Sequence, residues 1–153
     1  MFIVTAKLNA LRRALLLVVL LIAAAAAVFV LFRFDSDAGD ALPRAATAEE
    51  RVAYLSSLGW EVDQEPLESL RMTLPETLDE PYLTYNELQR RQGFDLSAFC
   101  GKTVERYTYR VRNYPDHPDD CQADLYLCRG RVIAGDIVCT GTNGFIDTLT
   151  APQ

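Results

Sequence analysis

The sequence predicts an α+β domain held behind a single N-terminal transmembrane helix. Three observations carry this expectation. Ala14 to Phe32 is an unbroken apolar run of 19 residues. The rest of the chain has patterned segments in the order helix, strand, helix, strand, strand, strand, which suits a mostly antiparallel sheet of about four strands with two helices on one face. The sign of the charge also reverses between the two parts.

At ~1.5 Å per residue the apolar run spans roughly 29 Å, near the ~30 Å hydrocarbon thickness of a bilayer. The first 33 residues hold four basic groups (Lys7, Arg12, Arg13 and Arg33) and no acid. The other 120 hold 11 basic and 21 acidic groups, so that part carries −10 while the whole chain carries −6. Three basic residues precede the run. Arg33 follows it, with Asp35, Asp37 and Asp40 close behind. That asymmetry places the N-terminus in the cytoplasm and the C-terminal domain outside. The alternative is a cleaved signal peptide. The apolar run continues from Val28 to Phe32 past the small residues Ala23 to Ala27, which favours an uncleaved anchor. Either way the domain is exported. The expected boundaries are a cytoplasmic segment 1–13, a membrane helix 14–32, a linker 33–46 and an extracytoplasmic domain 47–153. A domain at −10 is repelled by phosphate backbones, which excludes nucleic acid as the expected partner.

Thr47 and Glu50 form a capping box that opens the first helix. Val52, Leu55 and Leu58 give it one apolar face, and Gly59 stops it. Trp60 to Pro75 reads as extended, because Leu70, Met72 and Leu74 alternate with Arg71 and Thr73. Asp79 to Gln92 reads as the second helix. Pro81 lies in its first turn, Tyr82, Tyr85 and Leu88 on its apolar side, and Gly93 at its end. Asp95 to Phe99 adds a short helical turn. Thr103 to Arg112 alternates as a strand. Cys121 to Cys128 and Arg131 to Cys139 flank Arg129-Gly130, the two-residue turn of a hairpin. The tail from Thr140 is left without an element.

The stretches Gly59-Trp60-Glu61-Val62, Tyr85-Asn86-Glu87-Leu88-Gln89, Gln92-Gly93-Phe94-Asp95-Leu96-Ser97, Gly101-Lys102, Arg106-Tyr107-Thr108-Tyr109, Asn113-Tyr114-Pro115 and Gly130-Arg131-Val132-Ile133 follow one another in the order of a known pattern. From Gly59 onward the chain resembles the uncharacterised bacterial domain of unknown function 4830 family. The resemblance implies a short membrane-anchored or secreted protein of Gram-positive type, and no activity. Ala134 stands where the pattern expects glycine.

The cysteines Cys100, Cys121, Cys128 and Cys139 all follow the apolar run, and an even number in an exported domain suggests disulfides. If Cys128 faces Arg131 across the turn, Cys139 comes close to Cys121. Cys128 and Cys139 then lie ~27 Å apart at opposite ends of the hairpin. This register favours Cys100–Cys128 and Cys121–Cys139. In a regular ladder Cys121 and Cys139 point to opposite faces, so their bridge needs a bulge or a strand end. Four free thiols are the alternative.

No spacing supports a metal site or a cofactor. The one histidine, His117, lies in a Pro-rich loop and reads as a solvent-exposed residue. Gly101-Lys102-Thr103 lacks the upstream glycine of a phosphate loop, where Leu96 stands, and leads into a strand. Asp136 is the anomalous carboxylate. In strict alternation it shares a face with Val132, Ala134 and Val138, the apparent core face. The favoured reading is a bulge at Gly135 that turns it outward; the other is a buried acid paired with Arg106 or Arg110. Arg106, Tyr107, Tyr109, Arg110, Arg112, Tyr114 and Tyr126 form a candidate interaction surface. Against it stands the plain reading of tyrosines packed under helices and arginines offsetting acids. The expected function is a non-enzymatic interaction or regulatory module at the cell envelope, with the membrane and another envelope protein as partners. A carboxylate-using envelope hydrolase and a thiol-redox protein are the alternatives.

Overall fold

The computed structural model describes residues 41–117, 120–141 and 144–150. The expected cytoplasmic segment and membrane helix lie outside the described residues, within which no helix is long and apolar enough to cross a membrane. The compact unit begins at Leu42.

Its elements are α1 (Ala48–Ser57), β1 (Glu68–Thr73), α2 (Tyr82–Arg91), a 3-10 turn (Leu96–Phe99), β2 (Thr103–Arg110), β3 (Cys121–Cys128), β4 (Arg131–Cys139) and β5 (Phe145–Asp147). The strands form one antiparallel sheet in the order β1-β2-β3-β4-β5. The α+β class stands, with five strands rather than about four. The added strand is the three-residue β5 in the tail, too short to show an alternation.

Both reciprocal bonds of the predicted capping box are present at Thr47 and Glu50. Gly59 and Gly93 end their helices with positive φ, which glycine adopts without a Cβ clash. α2 starts at Tyr82 rather than Asp79, and Asp79 joins it through its carbonyl, which accepts from the Leu83 N–H at 3.0 Å. The 3-10 turn is capped by the Asp95 side chain. At the hairpin turn Arg129 and Gly130 both have positive φ, as the two-residue turn requires.

The two helices lie on opposite faces of the sheet, not on one. Leu55 of α1 belongs to a core with Tyr109, Leu125, Ile137 and Trp60. Arg51 of α1 is buried against the same face, donating to the Tyr109 hydroxyl at 2.9 Å and stacking over the Tyr107 ring. The other face, with Val104, Ile133 and Ala134, packs against Leu96, Phe99 and Tyr85. Both faces are therefore covered, which explains why β4 is buried almost throughout.

A bulge in β4 does occur, but at Ile133. Leu127 pairs with Val132 and Tyr126 with Ala134, so Ile133 is the extra residue. Beyond it the register is regular, Gly135 pairs with Leu125, and Cys121 pairs directly with Cys139. The bulge also separates Val132 from Ala134, which sit in the cores of opposite faces.

Residues 42–46, expected as linker, belong to the domain. Ala45 is fully buried, its N–H donates to the Gly130 carbonyl at 2.9 Å, and the Pro43 carbonyl accepts from Val132 at 2.9 Å. Trp60 is likewise core rather than strand, donating from Nε1 to the Leu149 carbonyl at 2.7 Å.

Candidate functional site

Between α2 and its face of the sheet lies a cavity of about 640 Å³. The size suits a small ligand. Its walls are mainly aliphatic: Leu70 and Met72 from β1, Leu74 just after it, Leu88 from α2, Leu96 from the 3-10 turn and Ile146 from β5. Alternation in β1 sends the first three to one side, the pattern the sequence displays. Leu74, 3% exposed, closes the inner end against the core, whereas Leu70 and Ile146 open onto the cavity and stay 44% and 58% exposed. Tyr82, Tyr85 and Tyr126 supply rings, and Arg91, Arg106 and Glu87 the charge.

The polar part is built by cross-strand register. Leu70, Arg106, Tyr126 and Ala134 form one row across the sheet, and Glu68, Thr108, Asp124 and Asp136 form the next. Arg106 pairs with Glu68 and lies directly beside Tyr126 across the strands. Its Nε is buried without a hydrogen-bond partner. Thr108 donates to Asp124. Asp136 accepts from the Tyr85 hydroxyl of α2, so the helix is tied to the acid row.

Asp136 is not turned outward at Gly135. It is 2% exposed, because the bulge lies at Ile133 and leaves Asp136 on the α2 face. Burial raises its pKa to about 7, helped by the facing Asp124 and opposed by the Tyr85 bond and Arg106. Burial likewise raises the Asp124 pKa. The Tyr85 hydroxyl is pushed well up, by burial first and by the Asp136 charge second. The direct partner of Asp136 is thus a tyrosine, where the buried alternative named an arginine.

Next to Asp136, the Gly135 backbone is held by glutamines. Gln89 donates to its carbonyl at 3.0 Å and accepts from its N–H at 2.9 Å, and Gln92 donates to the same carbonyl at 2.9 Å. A Cβ at Gly135 would lie 2.3 Å from Leu149 Cδ1 and 2.7 Å from the Asp124 carbonyl oxygen, so only glycine fits.

The seven residues of the candidate interaction surface do not form one surface. Arg106 and Tyr126 line the cavity. Tyr107 and Tyr109 lie on the opposite face with Arg51. Arg112 makes a two-point ion pair with Asp63 at 3.0 and 2.9 Å. Tyr114 stacks on Trp60 with ring centres 5.5 Å apart. Arg110, half-buried in β2, is opposite Gln122. A strand alternates its faces, so neighbours in sequence separate in space. His117 is half-buried and packs its ring on Tyr114 and Phe145 instead of standing free in solvent.

Cys121 and Cys139 form a disulfide. Cys100 and Cys128 are unbridged: Cys128 is buried with its thiol toward the Thr103 carbonyl, whereas Cys100 borders a different surface beside Glu76 and Ser97. Among the described residues no group of three metal-ligating side chains occurs.

Sequence reasoning missed Tyr85, Asp124 and Glu68 as site members. One signal was present. A register that pairs Cys121 with Cys139 also sets Asp124 opposite Asp136.

No curated protein and no solved structure is detectably similar to this chain. The profile of one family, described as a domain of unknown function (DUF4830), matches residues 54–137, from α1 through most of β4. That match spans more than half of the sequence and the greater part of the sheet, and the chain belongs to this family.

Proposed function

We propose that the protein is a membrane-tethered, extracytoplasmic binding module whose site is the cavity between α2 and the sheet. The single observation that carries this is the cavity's composition. Aliphatic walls with a few polar groups, here Arg106 and Tyr126 on the sheet and Glu87 and Arg91 on α2, are the ordinary make-up of a ligand site. The tether and the orientation rest on the 19-residue apolar run and the basic residues that precede it.

The hydrolase reading has one observation in its favour. Asp124 and Asp136 are direct cross-strand partners with raised pKa values, and two convergent acids are what that chemistry needs. Neither lines the cavity, whereas Arg106 and the apolar side chains do, so binding is better supported.

The test is a thermal-shift screen of the full-length protein against lipids, metabolites and peptides, repeated on Leu70→Trp and Leu88→Trp. Compounds that stabilise the wild type are expected to lose their effect in both variants, whose added rings fill the cavity. Hits that stabilise all three equally place the site elsewhere, and a screen without hits removes the binding reading. For the tether, protease added to intact protoplasts should digest the domain. Its survival until lysis reverses the orientation.

A further inference from the structure

The cavity's charge distribution specifies a ligand class, an inference that rests on the binding reading above. The geometry points to a single aliphatic chain ending in an oxyanion, with the anionic end at Arg106 and the chain along Leu70, Met72, Leu88 and Leu96.

Three observations converge on it. First, Arg106 is not saturated by its protein partners. A buried N–H without an acceptor is unfavourable, and the Nε of Arg106 is one. Second, its ionic partner is displaceable. The Glu68 side chain is 56% exposed, and an ion pair to an exposed carboxylate contributes little. A ligand oxyanion can take its place while Glu68 returns to water. Third, the walls leading away from Arg106 are aliphatic, and Leu70 at the mouth is 44% exposed. Exposed apolar side chains around a cavity mark a surface that an apolar partner covers. Arg91, on the lining, adds a second positive group and Glu87 a negative one. Asp124 and Asp136 sit one row behind Arg106. Their ionisation adds negative charge near the site and works against an anionic head.

Full-length protein in phosphatidylcholine nanodiscs, photolabelled with a diazirine-bearing dodecanoate, tests the assignment. Crosslinks should map to β1 and α2, saturate, and be competed by dodecanoate. Dodecanol and dodecyltrimethylammonium should compete poorly. Arg106→Met should weaken dodecanoate competition roughly tenfold or more, the range for one charge-assisted contact. Glu68→Gln, a surface change, should tighten it, a gain that a merely structural arginine does not produce. A parallel sample receives the photolabel only as the chain of lysophosphatidic acid, a single-chain anionic lipid, built into the nanodisc. Labelling there names the bilayer as source, and labelling by free dodecanoate alone names the soluble acid. If dodecanol competes as well as dodecanoate while crosslinks still map to the cavity, the oxyanion assignment is overturned and the binding site stands. Crosslinks confined to residues 14–32 overturn both.

Discussion

Asp136 shows how one residue's environment sets a property of the protein. Its carboxyl is buried, and its pKa rises from 3.8 to about 7. Between those values the folded protein holds a proton that the unfolded chain has released. The contribution of Asp136 to stability is therefore fully present below about pH 4. It is lost progressively as the pH rises toward 7, and changes no further above that. A shift of this size corresponds to on the order of a few kcal/mol. Asp136→Asn keeps an acceptor for the Tyr85 hydroxyl and removes the titration. We expect the variant to match the wild type or fall slightly below it at pH 5, and to exceed it at pH 8. Thermal melts at the two pH values check this. An equal difference at both would show that the carboxyl is solvated.

At the scale of elements, one inserted residue reconciles two features of the hairpin. The turn sets Cys128 against Arg131, and the far end sets Cys121 against Cys139; a ladder without an extra residue cannot do both on consistent faces. Ile133 provides the offset, and its side chain fills the core under α2. Non-reducing peptide mapping of protein denatured under alkylating conditions should show Cys121–Cys139 joined and Cys100 and Cys128 alkylated. Replacing both bridged cysteines with serine should lower stability by about 3 kcal/mol, because the bridge closes a loop of this length in the unfolded chain. A Cys100–Cys128 link in the mapped peptides would contradict the observed packing of those two residues.

For the whole molecule, the domain starts earlier than its first helix. Pro43 and Ala45 bond to the hairpin turn and to β4, and Leu42 packs against both cores. Residues 42–153 expressed alone should unfold cooperatively. A version starting at residue 47 should be less stable by roughly 2–4 kcal/mol, since it loses two backbone hydrogen bonds and the burial of Ala45 and Leu42. Urea melts of the two lengths provide the comparison. Equal midpoints would show that the segment only rests on the surface.

The sequence by itself determined most of the local structure. The Thr47–Glu50 box, the stops at Gly59 and Gly93, the Arg129-Gly130 turn and the strand alternations depend on neighbours a few residues apart, so their pattern lies in the chain. Family membership was legible for the same reason, as ordered short stretches. The tertiary structure alone decided what the alternations face. Leu70, Met72 and Leu74 read identically over a packed core or an open cavity, and only the position of α2 on the second face leaves the space. Tyr85 met Asp136 only because α2 crosses β4, 51 residues away in sequence. Asp136 was misread because an apolar strand interrupted by glycine admits a bulge at either of two positions. Ile133 and Gly135 differ by a backbone choice made on packing: a Cβ at Gly135 would strike Leu149, while Ile133 fills the core under α2. That choice depends on contacts distant in sequence, and it fixed which face the carboxylate occupies.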